Sequence, residues 1–426
     1  MRVLGITETC DLGSLYLRLI AEGHEVRVAV SDPLAADTMA GLVPRTEDWR
    51  AELPWVRKAG TDGLIVFEAI GFGALQGDLR RQGFNVIGGS AFGDRLENDR
   101  AFALQLLAPH GMRLAPVVEF SDRAEAIADL RARPRRCVFK RSASAGETFV
   151  GAMRDGSDIV ALLSGRAPGP DERFVLMDHV EGVETGVGAY FNGERFLRPA
   201  CIDWEYKRFF AGDMGELTGE MGTVATYDDS DKIFEATLAQ VEPLLREAGH
   251  VGYVNLNTII NADGIWPIEF TCRFGYPGFA VLEPLQAVGW GELFRRMISR
   301  DQAAFEKHPG WSLCAVLTTP PFPHSRREIE APVGLPVIVN DIEAQHLHLG
   351  EVGLANGQLV TSGLYGWTAV VTGTAATISE AKAEAYRRAA LVQTPNLRYR
   401  LDIGDRQLAG EIEQLRSWLW LNVGKA

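Results

Sequence analysis

Apolar and polar positions in the first quarter of the chain alternate between strand-like and helix-like spacing. The strand-like runs cover 3–6, 24–30, 63–70 and 85–87, and the helix-like segments cover 12–21, 75–82 and 95–107. Regular alternation of strands and helices predicts an open parallel sheet with right-handed crossover connections. We therefore expect residues 1–114 to form a doubly wound α/β domain.

Beyond residue 115 the pattern becomes richer in strands. Strand-like runs cover 137–140, 147–152, 173–177, 184–191, 195–197, 251–260 and 265–270, and a helix is predicted over 231–248. The Asn192-Gly193 pair between two of these runs predicts a hairpin turn. We expect an α+β domain over 115–310, with a small lobe at about 115–180 and a large lobe at about 181–310. Residues 311–426 are expected to form a β-rich domain with closing helices, which gives a multidomain protein.

The composition argues against several classes of partner. The chain has 426 residues, of which 46% are hydrophobic and 23% charged, and its formal net charge is −13. Such an acidic chain, without clustered cations, is poorly suited to nucleic acid or to an anionic membrane surface. No apolar run is long enough to cross a bilayer, and the segment 412–423 is expected to be an amphipathic helix packed on the body. Scattered cysteines are typical of reduced cytoplasmic proteins. The first residues predict a strand and not a signal peptide. We expect a cytoplasmic monomer or homodimer.

The segment 266–277 carries the most specific chemistry in the chain. It reads Trp-Pro-Ile-Glu-Phe-Thr-Cys-Arg-Phe-Gly-Tyr-Pro and predicts a buried strand that ends in a turn. Because side chains alternate along a strand, Glu269, Thr271 and Arg273 point to the same face. An acid, a hydroxyl and a cation on one face of an apolar strand suit a metal-bound phosphate. A surface ion pair across one strand is the alternative interpretation.

Two further segments carry candidate anion-binding groups. Lys140 ends a strand and precedes the small-residue loop 141–146, so the lysine and the loop amides would bind phosphates. A strand-end lysine beside a surface loop is the alternative. Gly71 and Gly73 follow another strand and open a helix, which would leave backbone N–H groups free for an anion or a substrate carboxylate. Tight strand–helix packing explains this glycine pair equally well.

The loop-like segment 203–222 concentrates charged residues, aromatic residues and glycines. Lys207 and Arg208 within it would neutralise a phosphate or a developing oxyanion. Gly219 and Gly222 permit backbone approaches that other residues cannot make. An exposed surface loop is the alternative.

Short motifs follow one another along nearly the whole chain. They lie at 96–102, 138–140, 175–184, 206–208, 218–222 and 268–275, with further runs at 359–363, 371–373, 378–381 and 399–404. In this order they resemble the motifs of ATP-grasp ligases, and the chain looks most like the phosphoribosylamine–glycine ligase family. The resemblance implies an ATP-grasp fold with an N-terminal pre-ATP-grasp domain. It also implies ATP and Mg²⁺ as cofactors, and an ADP-forming enzyme that makes carbon–nitrogen bonds.

The resemblance assigns roles to individual residues. The residues it implies for ATP binding are Arg100, Lys140, Gly146, Met177, Asp178, Val180, Glu184 and Lys207. Among them the two basic residues at 100 and 140 would contact the phosphates, the hinge 177–180 would offer backbone groups to adenine, and the acid at 184 would bind ribose. The residues it implies for the amino-acid site are Thr218, Gly219, Glu220, Met221 and Gly222. Arg273 and Lys207 are implied as catalytic residues, and the Mg²⁺ site is implied at Glu269, Thr271 and Asn257.

The sequence departs from the family pattern in ways that affect the substrates. Arg100, Glu147 and Thr271 replace the lysine, lysine and asparagine expected of the family, and Asn257 lies where many ATP-grasp enzymes have an acid. Mg²⁺ would then be held largely by the ATP phosphates and water, which that ion tolerates. The N-terminal loops at 7–13 and 67–73 lack the glycines expected to cradle phosphoribosylamine. They favour a different amine and a role in specialised metabolism.

We therefore predict an ATP-dependent ligase that joins a small-molecule carboxylate to an amine through an acyl phosphate. An authentic phosphoribosylamine–glycine ligase of purine biosynthesis is an alternative, and complementation of a purine auxotroph separates the two. A biotin-carboxylase-like enzyme is a weaker alternative, since nothing in the sequence indicates a biotin-carrying partner. A non-catalytic regulator is the alternative from another class, and it would bind ATP without ever forming ADP.

Overall fold

The computed structural model describes residues 1–141, 148–165, 173–301 and 304–422. Its first region contains a parallel sheet with associated helices. The elements in chain order are β1 (Arg2–Thr7), α1 (Gly13–Ala21), β2 (Glu25–Val30), α2 (Leu53–Arg57), β3 (Gly63–Phe67), α3 (Gly73–Arg81), β4 (Val86–Ile87), α4 (Ala91–Asn98) and α5 (Arg100–Leu107). The strand order is β2-β1-β3-β4, and every neighbouring pair is parallel. The predicted parallel sheet is therefore present. Its central strands are apolar almost without alternation because both faces are covered.

One helix predicted over 95–107 is two helices, α4 and α5. The break lies at Asp99, whose side chain accepts a hydrogen bond from the backbone N–H of Phe102 at 3.0 Å. Aspartate favours this helix-capping position because its carboxylate bonds amides that the helix leaves unpaired. The break makes Arg100 the first residue of α5.

The next region is a small lobe with its own apolar core. Its elements are β5 (Val117–Phe120), α6 (Arg123–Ala132), β6 (Cys137–Arg141), β7 (Thr148–Val150), α7 (Ser157–Gly165) and β8 (Phe174–Asp178). The strands form an antiparallel sheet in the order β5-β8-β6-β7. Phe120, Phe139 and Phe174 pack together behind this sheet. Lys140 lies near the end of β6, where the chain leaves the sheet.

The remaining elements surround a long antiparallel sheet. In chain order they are β9 (Val183–Phe191), β10 (Cys201–Glu205), β11 (Arg208–Phe210), β12 (Met214–Leu217), β13 (Gly222–Thr226), α8 (Asp231–Ala236), α9 (Leu238–Glu247), β14 (Gly252–Asn261), β15 (Gly264–Thr271), α10 (Gly278–Leu282), α11 (Trp290–Ser299), β16 (Trp311–Thr318), β17 (Ile338–Val339), β18 (Leu347–Leu349), β19 (Val352–Ala355), β20 (Gln358–Thr361), β21 (Trp367–Ala375), α12 (Ile378–Ala389), β22 (Val392–Gln393) and α13 (Ile412–Ser417). The sheet order is β15-β14-β9-β10-β13-β16-β21-β18. Strands on both sides of residue 311 therefore share one sheet, and the division of the chain into domains stays a prediction.

Several local expectations in this region are corrected. The loop-like segment 203–222 contains the end of β10 and the strands β11 and β12. The Asn192 turn forms, but the segment after it makes a single bridge to β9, and β10 is the partner strand. The helix predicted over 231–248 breaks at Thr237, whose hydroxyl donates to backbone carbonyls of α8. The C-terminal helix α13 is shorter than expected, and its Leu415 is fully buried against the body.

The five cysteines form no disulfide bond. All five cysteines are buried and unpaired. Across the described ranges, no helix combines the length and the apolar character that crossing a membrane requires.

Candidate active site

A cavity of about 490 Å³ lies where the N-terminal loops, the long sheet and β21 meet. Glu8, Asp11 and Glu68 line it from the loops after β1 and β3. Residues of β10, β14 and β15 line the opposite side, and Trp367 at the start of β21 closes one wall. The cavity therefore brings together segments that are far apart in the sequence.

Glycines on β9 leave room for polar side chains from its two neighbouring strands. Gly186 pairs with Asp203 of β10 on one side and with Asn257 of β14 on the other. A Cβ atom at Gly186 would lie 2.1 Å from Oδ1 of Asp203 and 2.9 Å from Oδ1 of Asn257. Any larger residue would therefore displace the polar groups that line the cavity.

Lys207 is the centre of the charged groups at one end of the cavity. Its Nζ donates to Oε1 of Glu269 at 2.6 Å and lies 3.1 Å from Oε2 of Glu205. Burial opposes the ammonium charge, but the carboxylates of Glu205, Glu269 and Glu184 raise the pKa of Lys207 above its usual value. The lysine therefore stays charged between two carboxylates. Glu205 was not predicted, although it lies two residues before Lys207 in the charged segment that the sequence singled out.

Five residues that the resemblance implies for ATP or Mg²⁺ come close together. Burial and, after it, the neighbouring Arg100 lower the pKa of Lys140 to about 8, while Glu269 and Glu184 oppose them. Burial also lowers the pKa of Arg100, and Glu269 opposes it. These mutual effects require that the small-lobe lysine, the first residue of α5 and the acid of β15 lie near one another. Lys140, Arg100 and Lys207 therefore form a group of cations beside Glu269.

Arg273 follows β15 and lines the same cavity. Its Nε donates to Oε1 of Glu97 at 3.1 Å, while the backbone N–H of Cys272 donates to Oε2 of the same carboxylate at 2.8 Å. Burial raises the pKa of Glu97 despite this partner. Glu97 on α4 thus fixes the guanidinium at the cavity wall. The motif at 96–102 contained it, but its spacing gave no sign of this pairing.

The predicted metal ligands lie side by side on two strands. Asn257 pairs with Glu269 across β14 and β15, and Thr271 follows two residues later on the same face and lines the cavity. The Asn257 amide donates to Oε2 of Glu205 at 2.9 Å. Among the described residues, no group of three or more histidine, cysteine or acidic side chains is arranged to hold a metal. The oxygen donors at Glu269, Thr271 and Asn257 fit a Mg²⁺ ion that takes its other ligands from phosphate and water.

The residues predicted for the amino-acid site divide into two groups. Gly219 and Glu220 line the cavity. Thr218 instead bonds the carbonyl of Lys207 through its N–H and hydroxyl, at 2.8 and 2.7 Å. Met221 is fully buried against Phe209 and Phe322. Gly222 lies in β13, where a Cβ atom would be 2.5 Å from the carbonyl oxygen of Cys314.

The prediction of free N–H groups at Gly71 and Gly73 is wrong. The carboxylate of Asp94 accepts hydrogen bonds from both amides, at 3.0 and 2.8 Å. A Cβ atom at Gly73 would lie 2.2 Å from the backbone of Ser90, so this glycine allows α3 and α4 to approach. Close packing is therefore the reason for the glycine at 73, and an internal acid occupies the amides that a substrate anion was expected to use.

The hinge residues lie apart from this cavity. Asp178 and Val180 line a second cavity of about 770 Å³ together with Trp266 and Trp418. The Asp178 carboxylate accepts from Nε of Arg135 at 2.7 Å, and its backbone N–H donates to Pro116 at 2.9 Å. Met177, in β8, is partly buried. Gly146 and Glu147 lie outside the described residues.

Comparison with known proteins places this geometry in a class. Residues 98–279 match the family model described as phosphoribosylglycinamide synthetase, ATP-grasp (A) domain. The chain is 26% identical over 341 residues to phosphoribosylamine–glycine ligase of Listeria monocytogenes, covering 77% of this chain and 80% of that protein. It is 27% identical over 350 residues to the Pseudomonas aeruginosa ligase of the same name, covering 78% and 80%. Both relatives are therefore similar over most of the two chains.

The fold leads to the same class. A crystal structure of phosphoribosylamine–glycine ligase from Thermotoga maritima matches with a TM-score of 0.69 at 20% identity, over 95% of this chain and all of that one. The biotin carboxylase subunit of pyruvate carboxylase has the same fold, with a TM-score of 0.58 at 12% identity, over 99% of this chain and 96% of that one. The chain therefore contains an ATP-grasp domain and is similar over most of its length to ATP-grasp ligases. Within that class it is similar to phosphoribosylamine–glycine ligase, which confirms the resemblance seen in the motifs.

Proposed function

We propose that the chain uses ATP and Mg²⁺ to join a carboxylate to an amine through an acyl phosphate, with release of ADP and phosphate. The observation that carries this proposal is the convergence of Arg100, Lys140 and Lys207 on Glu269, which lines a cavity together with Arg273. Cations from three segments beside a carboxylate suit a polyphosphate bound with a metal ion. The ATP-grasp fold supports the same reading.

The proposed reaction has two chemical steps. A carboxylate oxygen of one substrate attacks the γ-phosphorus of ATP, the bond to the bridging oxygen breaks, and ADP leaves. The amine nitrogen of the second substrate then attacks the acyl carbon, and phosphate leaves as the amide forms. Mg²⁺ bound at Glu269, with the oxygens of Thr271 and Asn257, would supply charge neutralisation for the phosphates. Arg100 and Lys140 would hold the phosphates.

Two further cations serve the reacting centre. Lys207 is held between Glu205 and Glu269, and Arg273 is held by Glu97. Because these carboxylates fix the cations before substrate binds, little reorganisation is needed as negative charge develops on the acyl phosphate and the tetrahedral intermediate. A site closed around its substrates would also keep water from hydrolysing the acyl phosphate.

We further propose that the amine differs from phosphoribosylamine. The N-terminal loops contribute Glu8, Asp11 and Glu68 to the cavity. Among the described residues that line it, the cations are Lys207 and Arg273, and both are already paired with acids. A phosphate on the amine would therefore face carboxylates. The named relatives favour the alternative, an authentic phosphoribosylamine–glycine ligase, and growth of a purine auxotroph carrying this gene without added purines would establish it.

An ADP-release assay tests the ligase reaction itself. Purified protein, MgATP and a matrix of carboxylates and amines are combined, and ADP is followed by a coupled enzyme. We expect ADP only when both a carboxylate and an amine are present. Arg273→Ala should lower kcat by about 100-fold or more, whereas Arg295→Ala, at an exposed ion pair with Asp62, should not. ATP binding without ADP from any mixture would instead support a non-catalytic regulator.

The assembly and location also belong to this proposal. We expect a cytoplasmic monomer or homodimer that acts on small molecules. Light scattering of the purified protein measures the oligomeric state directly.

A further inference from the structure

Glu220 is a buried carboxylate without a partner. It lies between β12 and β13, has 6% of its surface exposed and lines the cavity of about 490 Å³. Its Oε1 accepts no hydrogen bond, and no lysine, arginine or histidine in the described part of the chain forms an ion pair with it. Burying an acid in this way is costly unless something else supplies a partner.

Asp203 presents a second unpaired oxygen to the same cavity. The residue is 5% exposed, and its Oδ2 accepts a hydrogen bond from the Asn255 amide at 2.6 Å. Its Oδ1 is buried and has no partner among the described residues. Gly186 leaves the space that this oxygen occupies. The strands thus hold the carboxylate in place, and one of its buried oxygens has no hydrogen-bond partner.

Aromatic rings form the wall near these acids. Tyr276 stacks on Trp367 with ring centroids 4.5 Å apart and planes inclined by 15°, and Tyr365 lies 5.7 Å from Trp367. All three residues line the cavity. Carboxylates beside aromatic rings attract positive charge, the first as ion-pair partners and the second through the ring face.

We propose that Glu220 and Asp203 bind a positively charged amino or guanidino group of a substrate, and that this substrate carries no phosphate. The inference rests on the proposed function only in treating the bound compound as a substrate of the ligase. An ammonium or guanidinium group would satisfy both unpaired oxygens. A phosphate at the same place would be repelled by them. Lys207 favours the charged forms of both acids, but its ion pairs are with Glu205 and Glu269, and that of Arg273 is with Glu97.

Proton release gives this binding a distinctive signature. Burial, together with the neighbouring Glu205 and Asp203 carboxylates, raises the pKa of Glu220 well above its usual range. In the empty cavity the acid therefore holds its proton to a higher pH than an exposed glutamate does. A cation favours the charged carboxylate, so its arrival expels that proton to solvent.

The test compares Glu220→Gln with Glu216→Gln, which makes the same substitution at an exposed position on β12. Ligands are agmatine and 1,4-diaminobutane, with 1,4-butanediol as the uncharged counterpart and phosphoethanolamine as the phosphorylated amine. Thermal shift and isothermal titration calorimetry measure binding to each protein. Calorimetry in two buffers of different ionisation enthalpy also counts the protons released.

We expect a cationic ligand to raise the Tm of the wild-type protein and of Glu216→Gln, and to release a proton. Glu220→Gln should bind it about tenfold more weakly or worse, and should release fewer protons than the wild type. Equal binding by wild type and Glu220→Gln overturns the proposal, as does failure of every cation to bind or preference for phosphoethanolamine. If Glu220→Gln does not fold, Asp203→Asn replaces it with the same expected loss.

These outcomes are independent of turnover. Cation binding that depends on Glu220, without ADP in any mixture, would keep this inference and reject the ligase reaction. ADP formation from a carboxylate and an amine, with an unchanged KM for both in Glu220→Gln, would keep the ligase reaction and reject this inference.

Discussion

The charge of Lys140 offers the sharpest prediction from the site. Burial and the neighbouring Arg100 lower the pKa of this lysine to about 8. The protonated form attracts phosphate, so bound ATP would raise the pKa again. As the pH rises above the pKa of the empty site, binding must include proton uptake by Lys140, and the affinity for ATP must fall.

The size of this effect follows from the pKa. A group with a pKa of about 8 is about 90% charged at about pH 7 and about 10% charged at about pH 9. The Kd for ATP is therefore expected to rise about tenfold over this interval if the bound state requires the charged lysine. Lys140→Arg is the matched variant, because arginine stays charged throughout this range. Its Kd should change much less over the same interval.

The assay is calorimetric titration with a non-hydrolysable ATP analogue and excess Mg²⁺ at several pH values from about 7 to 9. Asp203, whose pKa burial and Glu205 raise to about 8, titrates in the same interval. The arginine variant leaves Asp203 untouched, so the difference between the two profiles reports on Lys140. A flat wild-type profile, or an equal fall in Lys140→Arg, would refute the placement of this lysine on the phosphates.

Two further variants test the site and its framework. Lys207→Met removes the cation between two carboxylates, so kcat in the ADP-release assay should fall about 100-fold. The exposed control Arg246→Met should keep the wild-type rate. Unchanged turnover in Lys207→Met would contradict the role of Lys207. Gly73→Ala forces a Cβ atom against Ser90 and should lower the free energy of unfolding by about 1–3 kcal/mol in urea. In Gly77→Ala, on the same helix, the new Cβ atom meets only the flexible Arg81 side chain at 3.4 Å, so the free energy of unfolding should rise by up to about 1 kcal/mol. A Gly73→Ala protein more stable than Gly77→Ala would contradict the close packing of α3 against α4.

The sequence predicted those parts of the site whose chemistry is local. Glu269, Thr271 and Arg273 were expected on one face because a strand alternates its side chains, and all three line the cavity. Lys140 was recognised at a strand end, and its proximity to Glu269 followed from the resemblance. The order of motifs was sufficient for the class of fold, because each motif belongs to a different element of that fold.

The parts that the sequence missed depend on contacts between distant segments. Asp94 occupies the amides of Gly71 and Gly73 from more than twenty residues away, and no local pattern reveals that pairing. Glu220 was assigned with its neighbours to one substrate loop, but it is buried at a cavity that Trp367, far along the chain, also lines. Packing between elements decides which of these residues face the cavity, and the local spacing of apolar and polar residues does not.

Oxygen transfer tests the central claim most directly. A substrate carboxylate labelled with ¹⁸O is incubated with the enzyme, MgATP and the amine that supports turnover, and the products are examined by mass spectrometry. Attack of the carboxylate on the γ-phosphorus requires that one ¹⁸O atom per turnover appear in inorganic phosphate, with ADP as the other nucleotide product. Unlabelled phosphate, or AMP and pyrophosphate in place of ADP, would contradict activation of the carboxylate as an acyl phosphate.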